Sequence, residues 1–560
     1  MRVLLLYPEF PTSFWSFEKT IKLLGRKAML PPLGLITVAA LLPQDWQFKL
    51  VDRNIRQVTE QEWAWAEIVM LSAMIVQRRD FAAQVHEAKR RGKRVVVGGP
   101  YPTALPQECV DADYLVLDEA EITLPLFLEA LARGEKRGVF RSNGEKPDVT
   151  QTPIPRFDLL ELDAYTEMSV QFSRGCPFMC EFCDIIVLYG RRPRTKTPDQ
   201  MLAELQRLYD LGWRRSVFVV DDNFIGNKKN VKALLRQLKP WMFGRGYPFS
   251  FATESSVDLA QDQELMDLMR QCNFGAVFLG IETPDTQSLV LTKKTQNNRD
   301  PLADSVRKIA RSGIRIMAGF IIGFDNEKRG AGERIVRFVE QTSIPTATFS
   351  MLQALPDTAL SHRLAREGRL LDNALAGADI NQTTLMNFVP TRPIEQIAEE
   401  YVEGFWRLYD PIAFLDRTFR HFMLLKEADY PRKPRPLRRK LNLQNIRALA
   451  TIMWRQGVLR KTRWRFWKNL YRMCRLNRGG IGSYLSTCAQ IEHLLYYRQL
   501  VRDQIHQQLA RQRDSSKTSP HQPTPSHGSP DPWRAAATHP SSPQRGARLP
   551  LPVLANGGQS

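Results

Sequence analysis

Short apolar runs separated by stretches of helical spacing open the chain. V-L-L-L-Y (3–7), F-K-L-V-D (48–52), E-I-V-M-L-S (67–72), R-V-V-V-G-G (94–99) and D-Y-L-V-L (113–117) are each too short for a helix and nearly continuous in apolar character. That pattern predicts parallel strands buried on both faces, with helices such as P-L-G-L-I-T-V-A-A-L-L (32–42) between them. The expectation for 1–125 is a doubly wound α/β domain with its ligand at the carboxyl ends of the strands. Residues 126–166, with three prolines in P-D-V-T-Q-T-P-I-P-R-F-D, read as a linker.

A second alternating series fills 167–365. Its strand candidates are 168–172, 216–221, 249–254, 276–282, 314–323 and 347–352, with room for one helix between each pair, as in Q-M-L-A-E-L-Q-R-L-Y-D-L-G (200–212). Six such units predict a (β/α)6 partial barrel whose chemistry sits at the carboxyl-terminal rim. Beyond it the strand signals stop. I-E-Q-I-A-E-E-Y-V-E-G-F-W-R-L-Y (394–409) has amphipathic helical spacing, 366–512 reads as a helical domain, and the Ser-, Pro-, His- and Gln-rich 513–560 as a disordered tail.

Composition adds three constraints. An apolar content of 43% over 560 residues is enough for two or three real cores. No run is long and apolar enough to span a membrane, and no signal peptide opens the chain. Cys109, Cys272, Cys474 and Cys488 are scattered and read as ordinary buried residues, which fits a reducing cytoplasm. The net charge of +20 is concentrated: between Arg432 and Arg478 stand 16 Lys or Arg and no Asp or Glu.

The remaining three cysteines carry the chemistry. R-G-C-P-F-M-C-E-F-C-D (174–184) sets Cys176, Cys180 and Cys183 in a C-x3-C-x2-C spacing just after the first barrel strand. A zinc knuckle would need a fourth ligand, and the nearest downstream histidine is the distant His362. A [4Fe–4S] cluster held by three thiolates leaves one iron open instead. Gly175 permits the turn into the loop, and Phe182 would shield the cluster from water.

This loop, on the first strand of a six-unit barrel, resembles the radical S-adenosylmethionine superfamily. The resemblance implies that S-adenosylmethionine chelates the open iron and yields a 5′-deoxyadenosyl radical, which takes hydrogen from an unactivated carbon. It implies further cofactor contacts at the ends of the later strands. Asp222 and Asn223, after Asp221, stand where the family meets the amino group, although the usual Gly-Gly-Glu is absent. Glu254 and Ser255 stand near the ribose, Glu282 ends the fourth strand, Gly319 with Gly323 lies near the adenine, and Leu355-Pro356 closes the sixth.

In the N-terminal domain L-S-A-M (71–74) and V-G-G-P (97–100) resemble the Ser-x-Leu and Gly-Gly elements of cobalamin-binding domains, which implies roles for Ser72, Gly98 and Gly99. No dinucleotide or triphosphate loop follows the first strand. The family's Asp-x-His-x-x-Gly is replaced by Glu9-Phe10-Pro11-Thr12-Ser13-Phe14, and His86 reads as an exposed helical residue. The expectation is therefore cobalamin without a protein histidine below the cobalt, the lower face being open, water-ligated or blocked near Gln77. Glu119 and Glu121 in D-E-A-E resemble a family segment whose role the sequence does not disclose.

To about residue 510 the chain is similar to cobalamin-binding radical S-adenosylmethionine proteins of the hopanoid C-2 methylase type. The resemblance implies radical formation, then methyl transfer from methylcobalamin to a carbon of a lipid, tetrapyrrole pigment or other small molecule. Cobalamin would be remethylated by a second S-adenosylmethionine, and a ferredoxin or flavodoxin would supply low-potential electrons. Alternatives are a radical cyclase or rearrangement enzyme of the oxygen-independent porphyrin cyclase type, and a non-catalytic iron–sulfur protein that binds nucleic acid. The stretch 454–472 interleaves cations with aromatics. It suits a peripheral membrane contact through 432–478, an RNA surface, or a helix whose aromatics pack inward.

Overall fold

The computed structural model describes residues 1–371, 382–426 and 443–518. The tail expected from 513 lies outside the described residues from 519 onward, as do 432–442 of the basic stretch. Met1–Ala510 forms one compact unit.

All five strands expected in the first domain are present. They are β1 (Arg2–Tyr7), β2 (Gln47–Asp52), β3 (Ile68–Ser72), β4 (Arg94–Gly98) and β5 (Tyr114–Val116), joined by β6 (Gly138–Phe140). The sheet is parallel throughout, in the order β2-β1-β3-β4-β5-β6. Each face buries its own cluster: Leu4, Leu6, Val69 and Val97 on one side, Val3, Leu5, Met70 and Val96 on the other. Burial on both faces is why these strands are apolar without alternation. The helix Ala120–Ala132 and β6 occupy part of the span 126–166 read as linker. That helix places Leu124 and Phe127 in the sheet's core, and its Pro125 falls among them.

The second sheet contains β7 (Met168–Val170), then a short antiparallel pair off its end, β8 (Ser173–Arg174) with β9 (Arg194–Thr195). It continues through β10 (Ser216–Val219), β11 (Ser250–Ser255), β12 (Phe274–Glu282), β13 (Arg315–Ile322) and β14 (Thr346–Met351). The six parallel strands run in sequence order from β7 to β14, and β7 and β14 are not paired, so the barrel is open. In β12 the residues Val277, Leu279 and Ile281 are fully buried toward the helices, while Phe278 and Gly280 between them face the lumen.

Helices Ile394–Leu408, Pro411–Lys426, Leu443–Trp454, Arg463–Leu476, Ile481–Ala489 and Ile491–Thr518 make up the helical region. Its first helix covers the free edge of β14, where the Tyr401 hydroxyl donates to the Phe349 carbonyl (3.0 Å). The segment after β1 joins this packing. Phe14 is fully buried, with ring centroids 6.0 Å from Tyr409 and 6.2 Å from Tyr497. Further on, the Thr166 amide donates to the Ala28 carbonyl (3.0 Å) just before β7. One stretch of the N-terminal domain therefore touches the flanks of both barrel edges. Burying a phenylalanine such as Phe14 stabilises by about 1.5–3 kcal/mol. Among the described residues no helix is long and apolar enough to cross a membrane.

Candidate functional site

The cysteine loop leaves β8 through Gly175, whose φ of +91° few other residues adopt. Asp221, fully buried at the end of β10, holds this entry: its carboxylate accepts from the Phe172 amide (2.7 Å) and the Ser173 hydroxyl (2.7 Å). Asp222 accepts from the Gly175 amide at 3.1 Å. On the far side, Glu181 pairs with Arg363 at 2.8 Å, and Arg363 pairs with Asp325 at 2.8 Å. The loop is thus strapped to both ends of the barrel.

Cys176, Cys180 and Cys183 are all free thiols, and two of them meet side-chain amides. Asn223 Nδ2 lies 3.9 Å from Cys176 Sγ, and Gln296 Nε2 lies 3.7 Å from Cys180 Sγ. Donors aimed at sulfur suit metal-bound thiolates. Among the described residues no three Cys, His, Asp or Glu side chains converge on one point, as a single ion would require. Three thiols on one loop, with amide donors beside two of the sulfurs, are a donor set that fits a [4Fe–4S] cluster, in which each thiolate binds a different iron. Phe182 packs against Phe324 (6.0 Å between centroids) with Lys294 Nζ 5.8 Å from its ring centre.

The rim residues divide. Asp222 and Glu254 are partly exposed, and burial is the main reason their carboxyl pKa values stand at about 7 and about 8. The Asp222 and Glu282 charges raise Glu254 further. Glu282, in the left-handed region at a bulge in β12, is tied to Lys294 in a buried ion pair. Asn223 is committed to scaffolding as well, donating to Ser256 Oγ (3.2 Å) and accepting from the Ser256 amide (3.2 Å). Ser255 and Gly319 have different surroundings. Ser255, expected beside Glu254, is buried on the opposite face of β11 with its hydroxyl on the Ser256 carbonyl (3.2 Å), because successive strand residues alternate. Gly319, expected near an adenine, lies beside the lumen-facing Phe278, and a Cβ there would stand 2.8 Å from Phe278 Cζ.

At the rim of the first sheet, Ser72, Gly98 and Gly99 are partly exposed at the ends of adjacent strands, with Ser72 opposite Gly98. Gly99 has φ +90°, and a Cβ on it would come 2.3 Å from Ser72 Oγ. Small residues thus form this rim, with Gly99 packed closely on the Ser72 hydroxyl. His86 is exposed on its helix, and the segment after β1 turns away at Phe14. Gln77 is buried, donating to the Pro8 carbonyl (2.5 Å) and accepting from the Met74 amide (2.9 Å). Met74, half exposed, is the side chain that stands free there.

The two rims meet. The short helix Pro100–Ala104, which follows Gly99, packs against the turn Ile185–Leu188, which follows Cys183. Arg174 joins the same junction, with Nη1 donating to Glu119 (2.8 Å) and Nη2 to Glu121 (2.7 Å), while Arg194 Nη2 donates to Glu119 (2.7 Å). The D-E-A-E segment is thereby explained as the clamp between the first sheet and the cysteine loop. The sequence could not pair Arg174 with residues more than fifty positions away. Lys294, Gln296 and Ser256 went unnoticed for a similar reason: nothing local marks them.

Known proteins agree with this reading. Residues 23–128 match the B12 binding domain, 170–339 the radical SAM superfamily, and 358–507 a domain of unknown function (DUF4070). The chain is 63% identical over 511 residues to an uncharacterized methyltransferase, sll1242, of Synechocystis, covering 91% of this chain and 94% of that one. It is 35% identical over 501 residues to the hopanoid C-2 methylase of Rhodopseudomonas palustris, covering 89% and 93%. The cobalamin-dependent S-adenosylmethionine radical enzyme OxsB, solved with aqua-cobalamin and S-adenosylmethionine bound, has the same fold, with a TM-score of 0.55 at 14% identity over 92% of this chain and 80% of that one. With its cysteine loop clamped to a B12-type sheet and relatives alike over nearly their whole length, the chain belongs to the cobalamin-binding radical S-adenosylmethionine methyltransferases.

Proposed function

We propose that the protein transfers a methyl group to an unactivated carbon of an apolar small molecule, a lipid or a pigment. The observation that carries this reading is the packing of the helix after Gly99 against the turn after Cys183, which sets the corrin rim beside the cluster loop. When bound, the cluster with S-adenosylmethionine supplies a hydrogen-abstracting radical and cobalamin supplies a methyl group. Cys176, Cys180 and Cys183 would hold the cluster, and Ser72, Gly98 and Gly99 the corrin. Phe182 and Phe324 exclude water from the cysteine loop. Asn223 and Gln296 orient the sulfurs. Glu282 is neutralised by Lys294, which leaves Asp222 and Glu254 to meet a cationic cofactor. On the lumen side Phe278 meets Trp15 at 5.3 Å, an apolar wall that suits an apolar substrate. A low-potential donor of the ferredoxin or flavodoxin class would feed the cluster.

The raised carboxyl pKa values give this reading a pH dependence. Asp222 and Glu254 hold protons up to about pH 7 and about pH 8, and a bound cation must displace them. S-adenosylmethionine should therefore bind the reconstituted protein more tightly as pH rises from 6.5 to 8.5, by up to about tenfold per pH unit for one displaced proton. Calorimetry in two buffers of different ionisation enthalpy should show proton release. Affinity that is flat or falls with pH would remove these carboxylates from the cofactor site.

The function itself is tested with S-adenosylmethionine carrying a CD3 group. Reduced, reconstituted protein is incubated with apolar extracts, hopanoids being the first candidates because of the methylase relative. The expected product has gained one CD3 in place of hydrogen. Deoxyadenosine with an unlabelled, isomerised or cyclised product would replace methyl transfer with the rearrangement reading.

A further inference from the structure

The helix Arg463–Leu476 is built inside out for a packed aromatic helix. Phe466, Asn469, Leu470 and Met473 form its buried stripe against Pro411–Lys426. The opposite stripe, at spacings i, i+4, i+7 and i+11, is Trp464, Lys468, Tyr471 and Arg475. Trp464 is 74% exposed and Tyr471 61%. Just upstream, the turn Arg455–Leu459 exposes Val458 and Leu459, the latter at 63%.

The charges point the same way. Arg455 and Arg460 are satisfied by Glu492. Lys461, Arg463, Lys468, Arg472, Arg475 and Arg478 form no ion pair with a described residue. Exposed aliphatic tips just upstream of exposed aromatics and of cations without an ion pair fit a bilayer surface: the rings settle at headgroup depth and the cations meet lipid phosphates. RNA would use the cations and rings, but it would leave Val458 and Leu459 without a purpose, since aliphatic side chains do not stack on bases.

We propose that this face, from Val458 to Arg475, docks the enzyme on an anionic lipid surface. The proposal stands apart from the methyl-transfer reading, and either can fail alone. The test is co-sedimentation of the full-length protein with vesicles of phosphatidylcholine alone or with 30% phosphatidylglycerol. Binding is expected only to the anionic vesicles and should weaken in high salt. Each cation at such a surface contributes about fivefold in affinity, so K468E/R475E should lower binding by at least about 25-fold. W464S/L459S, at exposed positions that leave the fold intact, should lower it by about tenfold. Brominated lipid should also quench the wild-type tryptophan fluorescence, a readout that needs no variant. Three results would overturn the proposal: no binding to anionic vesicles at low salt, loss of RNA binding with unchanged vesicle binding in K468E/R475E, or W464S/L459S merely splitting a dimer.

Discussion

Alanine at Cys176, Cys180 or Cys183 is expected to abolish the cluster, with iron falling to background and deoxyadenosine formation dropping by more than about 1,000-fold, equivalent to about 4 kcal/mol of barrier. Each thiol is free, and all three are delivered by one loop that Asp221 and Arg363 hold from opposite sides. No other Cys lies on that loop to substitute for a lost ligand. Cys109 and Cys272 are buried elsewhere, so serine at either should leave the iron content unchanged. Iron analysis and the visible spectrum of the reconstituted variants decide the matter. A loop variant that kept its cluster and its activity would mean that the ligands had been wrongly chosen.

Replacing Arg174 with methionine should destabilise the protein by about 3–5 kcal/mol, because it strands carboxylates that are already out of water. The side chains of Glu119 and Glu121 are 3% and 9% exposed, and that of Arg174 is 12%. Burial opposes the guanidinium charge, but the hydrogen bonds it donates to Glu121 and then Glu119 offset this and lift the Arg174 pKa above the ordinary arginine value. For Glu121 burial pulls upward, yet Arg174 brings its pKa below the usual carboxylate range. Arg174→Lys keeps the charge and loses the two-pronged geometry, so it should fall between the two. The expected readouts are a lower unfolding midpoint and faster proteolysis between the first sheet and the barrel. An unchanged midpoint would show that the clamp is dispensable.

How much of this could be read from the chain depends on how far apart the partners lie. The strands of both sheets, β6 excepted, were legible because each is a local run, and the three thiols because their spacing is local. The side of β11 that Ser255 takes was also legible, since Phe251, Thr253 and Ser255 alternate with Ala252 and Glu254. Cys474, read as buried, is exposed; it falls one position outside the stripe of Phe466, Asn469, Leu470 and Met473. What the sequence withheld were long-range pairings: Glu181 with Arg363, Cys180 with Gln296, and Arg174 with Glu119 and Glu121. The segment after β1 shows both sides. Its missing histidine is visible at once, but its docking through Phe14 onto Tyr409 and Tyr497 follows only from the folded chain.

The central claim is that one chain holds a radical-forming cluster and a methyl-carrying corrin side by side. It can be tested without knowing the substrate. The protein is purified and reconstituted anaerobically, with and without hydroxocobalamin, then reduced in the presence of S-adenosylmethionine, and both nucleoside products are quantified. The account predicts deoxyadenosine in both samples and S-adenosylhomocysteine only where the corrin is bound, with the second product lost when a bulky side chain replaces Gly99. Deoxyadenosine without S-adenosylhomocysteine in the corrin-loaded sample would contradict methyl transfer and leave a radical enzyme of another kind.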